Sequence, residues 1–113
     1  MEDCIFCKIA NGQISTAKIF ENDNFVAFND ISPKAEVHIL VVPKRHIESI
    51  KHLKETDKEL MGEMIFVAKE IAEQKNLTGY KLIFNVGREG GQLVDHLHLH
   101  LLGGKDMPDG MDV

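Results

Sequence analysis

The stretch DHLHLHLLGG, residues 95–104, decides the reading of this chain. It sets His96, His98 and His100 at alternate positions, each followed by a leucine, and so holds half of the six histidines. On a β-strand, residues two apart share a face and stand about 7 Å apart. Leu97, Leu99 and Leu101 would then point into a core, leaving a row of imidazoles on the other side. Three readings of that row compete. It is the polar face of an amphipathic strand, a set of metal ligands, or a site for chemistry at phosphorus. The third has a physical basis. A neutral imidazole attacks phosphorus directly once a hydrogen bond fixes its tautomer. A second imidazole steadies the phosphoryl oxygens or moves a proton. The preceding loop, REGGQ, offers backbone N–H groups at Gly90 and Gly91 to the same oxygens. Asn85 and Gln92 flank it with neutral donors.

Working outward, VHILVV (37–42) predicts a buried strand that ends at Pro43. KIFENDNFVAFND (18–30) predicts a hairpin, with ENDN as its turn. CIFCKIANG (4–12) predicts a short helix, and KLIFNVG (81–87) another strand. RHIESIKHLKETD (45–57) is ambiguous. The clearest helix follows: Leu60, Met64, Val67, Ala68 and Ile71 form one apolar stripe. Thr56 with Glu59 three residues on has the form of a capping box. These elements imply an α+β domain with a five-stranded antiparallel sheet, one long helix over one face, and a short N-terminal helix. A single domain over residues 1–113 is expected, with a mobile tail from about residue 104.

Composition narrows the function. A net charge of −5 argues against a groove for a nucleic-acid backbone, which needs a basic face, but allows one nucleotide in a local pocket. No apolar run approaches the roughly 18 residues of a membrane span. The start, MEDCIFCKIANG, lacks the basic and apolar regions of an export signal, so a cytoplasmic protein is expected. Two cysteines cannot build a disulfide framework. Cys4 and Cys7 form C-x-x-C, which suits a redox pair, two buried thiols, or half of a zinc site.

HLHLHLL (96–102) resembles the signature of the histidine-triad (HIT) superfamily of nucleotide hydrolases and transferases. CIFCKI, FNDISP, VHILVVPKRHI, FNVGREGGQ and HLLGG agree in order, so the resemblance spans residues 4–104. It is closest to the small Hint or protein-kinase-C-inhibitor-like branch in its bacterial form. The resemblance implies a purine nucleoside phosphoramidate or nucleotidyl hydrolase acting at the α-phosphorus. His98 matches the nucleophile that carries the nucleotidyl group, His100 a phosphate contact, and His38 the upstream histidine of the catalytic cluster. Asn85, Gly91 and Gln92 match the phosphate side, and Asp30 the carboxylate that accepts both ribose hydroxyls. Ile5, Phe6, Ile9, Phe28 and Ile31 would line a purine slot. Taken alone, Asp30 reads as a turn residue and Phe28 as core.

The resemblance also implies a structural zinc held by Cys4, Cys7, His46 and His96, and a homodimer. His52 has no implied role and is expected to face solvent. Two departures stand out: Leu93 replaces a serine found in many members, and the chain has no tryptophan. Two other functions fit the same residues, a purine-mononucleotide-binding dimeric adaptor or sensor and a zinc-containing structural protein.

Overall fold

The computed structural model describes residues 3–105 and 107. In chain order the elements are α1 (Ile5–Ala10), β1 (Lys18–Glu21), β2 (Phe25–Asn29), β3 (Val37–Pro43), α2 (Lys58–Gln74), β4 (Tyr80–Ile83) and β5 (Leu99–Gly103). The strands form one antiparallel sheet in the order β1-β2-β3-β5-β4. Among the described residues no helix is long and apolar enough to cross a membrane.

The long helix covers one face of the sheet, as the sequence suggested, and the short N-terminal helix covers the other. Met64, Val67, Ala68, Ile71 and Ala72 of α2 pack on Phe25, Ala27, Ile39, Val41, Leu97, Leu99 and Leu101. On the opposite face, Phe6, Ile9 and Ala10 of α1 pack on Val26, Phe28, Leu40 and Val42. This explains the apolar run of β3 over residues 39–42, since a strand buried on both sides has no face to give to water.

Three expectations are corrected and one open reading is settled. The strand predicted over 81–87 is shorter, Tyr80–Ile83, because the chain swings out toward Gly87, whose φ is +72°. The last strand begins at Leu99, so His96 and His98 precede it. The ambiguous segment 45–57 forms no α-helix; it makes two single 3-10 turns, Ile50–His52 and Glu55–Asp57. The capping box does not use Thr56. Asp57 ends the second turn, accepts the Lys54 N–H at 2.8 Å and pairs with Arg45. The tail predicted from about residue 104 lies, beyond Lys105 and Met107, outside the described residues.

Candidate active site and metal cluster

Strand register brings distant histidines together. In the β3–β5 ladder, Leu40 faces His100 and His38 faces Leu102. His38 and His100 are therefore diagonal neighbours on the same face, within reach of two rings. His38 Nε2 lies 2.9 Å from His100 Nδ1. The backbone fixes which nitrogen carries the proton. The Lys34 N–H donates to His38 Nδ1 at 3.0 Å, so the proton of neutral His38 sits on Nε2 and donates to His100. His100 then keeps its own proton on Nε2.

His98 is set by another carbonyl. Its Nδ1 donates to the His96 carbonyl at 2.8 Å, which leaves the lone pair on Nε2. The Phe6 ring packs edge-on against His98, with centroids 5.2 Å apart, and His100 lies 5.0 Å away. No buried side-chain nitrogen or oxygen among the described residues lacks a partner. Burial lowers the pKa of His98 and of His38, the latter opposed by the nearby Asp30 carboxylate. His100 is pushed down to about 4 by burial, helped by His98 and His38. The cluster is thus a set of neutral imidazoles at neutral pH.

Asp30 serves two ends. Its Oδ1 accepts the Ser32 N–H at 2.7 Å, which makes it the turn residue its local sequence suggests. Its Oδ2 faces His38 Nε2 at 3.5 Å. Asp30, His38 and His100 lie close enough for a cation. The tautomers disfavour one there, because His38 Nε2 holds a proton that its Nδ1 cannot take while it accepts from Lys34.

The other expected site residues are spread. Phe6, Ile9 and Phe28 are buried in the apolar layer beneath α1, whereas Ile5 is half exposed and Ile31 is 98% exposed. Asn85 reaches the Gly91 carbonyl at 3.4 Å. Gly91 takes a left-handed φ of +88°, and a Cβ there would lie 3.2 Å from Asn85 Nδ2. Gln92 departs most from expectation. It is buried, and its amide is spent on backbone: Oε1 accepts the Gly87 N–H, while Nε2 donates to the Glu48 and Val94 carbonyls. As placed, Gln92 braces the loop and offers no free amide to a phosphate. Arg88 closes the same loop on the Gln92 carbonyl and on Asp95. Leu93 stands exposed beside it.

The second cluster gathers Cys4, Cys7, His46 and His96, whose donor atoms all lie within 4.8 Å of one another. Cys4 Sγ is 3.2 Å from His96 Nδ1, and Cys7 Sγ is 3.2 Å from His46 Nδ1 and 3.5 Å from His96 Nδ1. These separations suit donors around one small cation. His96 Nε2 donates to the Pro43 carbonyl at 2.8 Å, which turns the Nδ1 lone pair toward the thiols. Burial and the Cys4 thiol push Cys7 up to about 11, and burial pushes His96 down to about 4. A cation would favour the Cys7 thiolate against that burial, and it finds His96 already in the neutral form that ligation needs. His52, given no role, is half exposed and lies 2.9 Å from Glu48.

Sequence reasoning missed the backbone partners: the Lys34 N–H and the carbonyls of Pro43, Ile47 and His96. Only the Ser32-Pro33 turn hinted that an amide would cross to His38.

Comparison with known proteins gives the family. The family model described as "Scavenger mRNA decapping enzyme C-term binding" matches residues 3–112. The purine nucleoside phosphoramidase of Escherichia coli K12 is 42% identical over 108 residues, covering 94% of this chain and 91% of that protein. A histidine triad protein from Clostridium difficile superposes with a TM-score of 0.93 at 44% identity, covering 98% of each chain. A Zn-bound histidine triad family protein from Mycobacterium smegmatis superposes with a TM-score of 0.83 at 28% identity, covering 98% of this chain and 84% of that one. With its paired imidazoles on one sheet face and these relatives along nearly its full length, the chain belongs to the histidine-triad superfamily.

Proposed function

We propose that the protein hydrolyses purine nucleoside phosphoramidates and related nucleotidyl compounds, through a nucleotidyl intermediate on His98. One observation carries the reading. The His98 Nδ1 proton is committed to the His96 carbonyl, so the neutral ring presents its Nε2 lone pair. That nitrogen attacks the α-phosphorus as the P–N bond of the substrate breaks, and the departing amine takes up a proton from solvent, which the attacking water returns in the second step. Water then cleaves the phosphorus–His98 bond and releases the nucleotide. His100 donates its Nε2–H to a phosphoryl oxygen, and His38 holds that tautomer in place. The loop amides near Gly91 add further donors, with Asn85 beside them and Gln92 bracing the loop. Asp30 keeps lone pairs for the ribose hydroxyls. Ile5 and Ile31 flank the purine above Phe6, Ile9 and Phe28. The phosphoramidase relative supports this substrate class.

Cys4, Cys7, His46 and His96 hold a structural zinc, which ties α1 to the sheet beside the site; the donor set and the Zn-bound relative support it. The working form is a homodimer. The edge strand β4 and the exposed Ile65, Phe66 and Tyr80 supply a sheet edge and apolar surface for a second copy. The cytoplasm suits the two free thiols.

The test is mass spectrometry of intact protein mixed with adenosine or guanosine 5′-phosphoramidate and quenched without acid. A nucleotidyl adduct mapping to His98 is expected, absent in folded His98→Ala. Wild-type turnover in that variant rejects the mechanism.

A further inference from the structure

The β3–β5 ladder stops just short of the nucleophile. Its last pair is Val41 with Leu99, so residues 96–98 run on beyond it. Other bonds take over where the ladder ends. The Leu97 N–H donates to the Ile47 carbonyl at 2.6 Å, and the His96 ring donates to the Pro43 carbonyl at 2.8 Å. The thiols of Cys4 and Cys7 meet the rings of His96 and His46 at 3.2–3.5 Å. Segment 96–97 is thereby laced to segment 43–47, with the start of α1 as the knot.

One peptide plane carries the consequence. The amide between His96 and Leu97 donates its N–H to the Ile47 carbonyl and accepts at its C=O from His98 Nδ1. A peptide group is planar, so a plane fixed on its N–H side is fixed on its C=O side. His46 is the chain neighbour of Ile47, and His96 begins the plane. Both belong to the Cys/His cluster, which therefore anchors the chain neighbour of each partner in the bond that orients the plane.

We infer that the Cys4–Cys7–His46–His96 cluster positions the nucleophile, aiming through the His96–Leu97 peptide plane the carbonyl that keeps His98 in its Nδ1–H tautomer. Cys4, Cys7 and His46 act as positioning residues, since they touch no reacting atom. The inference rests on the reading of His98 as nucleophile.

Nitrogen-15 correlation spectra of the histidine rings, recorded on the full protein as purified, report each tautomer. Loss of a signal in His98→Gln identifies the ring of interest. In wild type, His98 shows one Nδ1–H tautomer. In Cys4→Ser/Cys7→Ser it moves toward a tautomer mixture. With adenosine 5′-phosphoramidate as substrate, kcat falls roughly 10- to 100-fold while KM changes less than about threefold. His46→Cys, which retains a metal donor, keeps the wild-type tautomer and kcat; His46→Ala loses both. If the double variant fails to fold, the His46 pair decides alone. An unshifted His98 signal in folded protein lacking the cluster overturns the inference and leaves the nucleophile standing. A correct wild-type tautomer with no nucleotidyl adduct overturns the nucleophile and leaves the positioning intact.

Discussion

His38 and His100, 62 positions apart, share one proton bridge of 2.9 Å between Nε2 and Nδ1. The direction of that bridge follows from a backbone amide, because Lys34 donates to the far side of the His38 ring. The pair therefore works as a fixed donor chain that ends on His100 Nε2.

If that chain steadies a phosphoryl oxygen, the two truncations differ in kind. His100→Ala removes the donor itself and lowers kcat on the order of 100-fold. His38→Gln keeps an N–H near His100 and costs less than His38→Ala, which frees His100 to change tautomer. Steady-state hydrolysis of adenosine 5′-phosphoramidate ranks the three. Equal losses in His38→Gln and His38→Ala would show that the proton direction is irrelevant.

The Cys/His cluster makes a compositional forecast. Protein purified without chelator should carry about one zinc per chain. Cys4→Ser/Cys7→Ser should lose the metal, with Tm falling on the order of 10 °C, because site binding energy is folding energy here. Metal analysis beside thermal unfolding decides it. Metal-free wild type with an unchanged Tm in the variant ends the zinc proposal.

How much of this was legible in the sequence depends on the range of the contact. The alternating leucines and the α2 stripe were readable, because a period of two or of 3.6 faces a core directly. Leu99 and Leu101, Met64 and Ile71 all pack where periodicity placed them. The end of β4 was not readable. Phe84 continues the apolar pattern, but the chain leaves the sheet toward a glycine of positive φ. The capping box failed through competition, since Asp57 found both the Lys54 amide and Arg45. The His38–His100 contact depends on strand register, and the fate of Gln92 depends on Gly87, Glu48 and Val94. No local pattern encodes partners drawn from separate segments.

Gly91 tests the loop without touching a histidine. Its φ of +88° disfavours any side chain, and an added Cβ would press on Asn85 Nδ2 at 3.2 Å. Gly91→Ala should cost about 1–3 kcal/mol in urea unfolding and slow turnover as the loop shifts. Unchanged stability and rate would mean that the loop backbone is free to adapt.

The buried imidazoles also set how stability responds to acid. His100 faces His98, His38, Asp30 and Lys34, and burial dominates, pushing it down to about 4. In the unfolded chain the same ring titrates near its ordinary value of about 6.5. Between those values the unfolded state holds a proton that the folded state refuses, so unfolding becomes easier as pH falls. His38, also lowered by burial, acts with the same sign. The stabilising contribution is whole above about pH 6.5, fades through the window down to about 4, and is gone below it. For His100 the loss is on the order of 3 kcal/mol. Urea unfolding of wild type and His100→Gln at stepped pH isolates it, because acid release from the Cys/His cluster weakens both proteins alike and cancels in the difference. Wild type should lose stability more steeply than the variant across that window. Parallel curves would mean that His100 titrates as a solvated ring, and the neutral donor chain from His38 would fall with it.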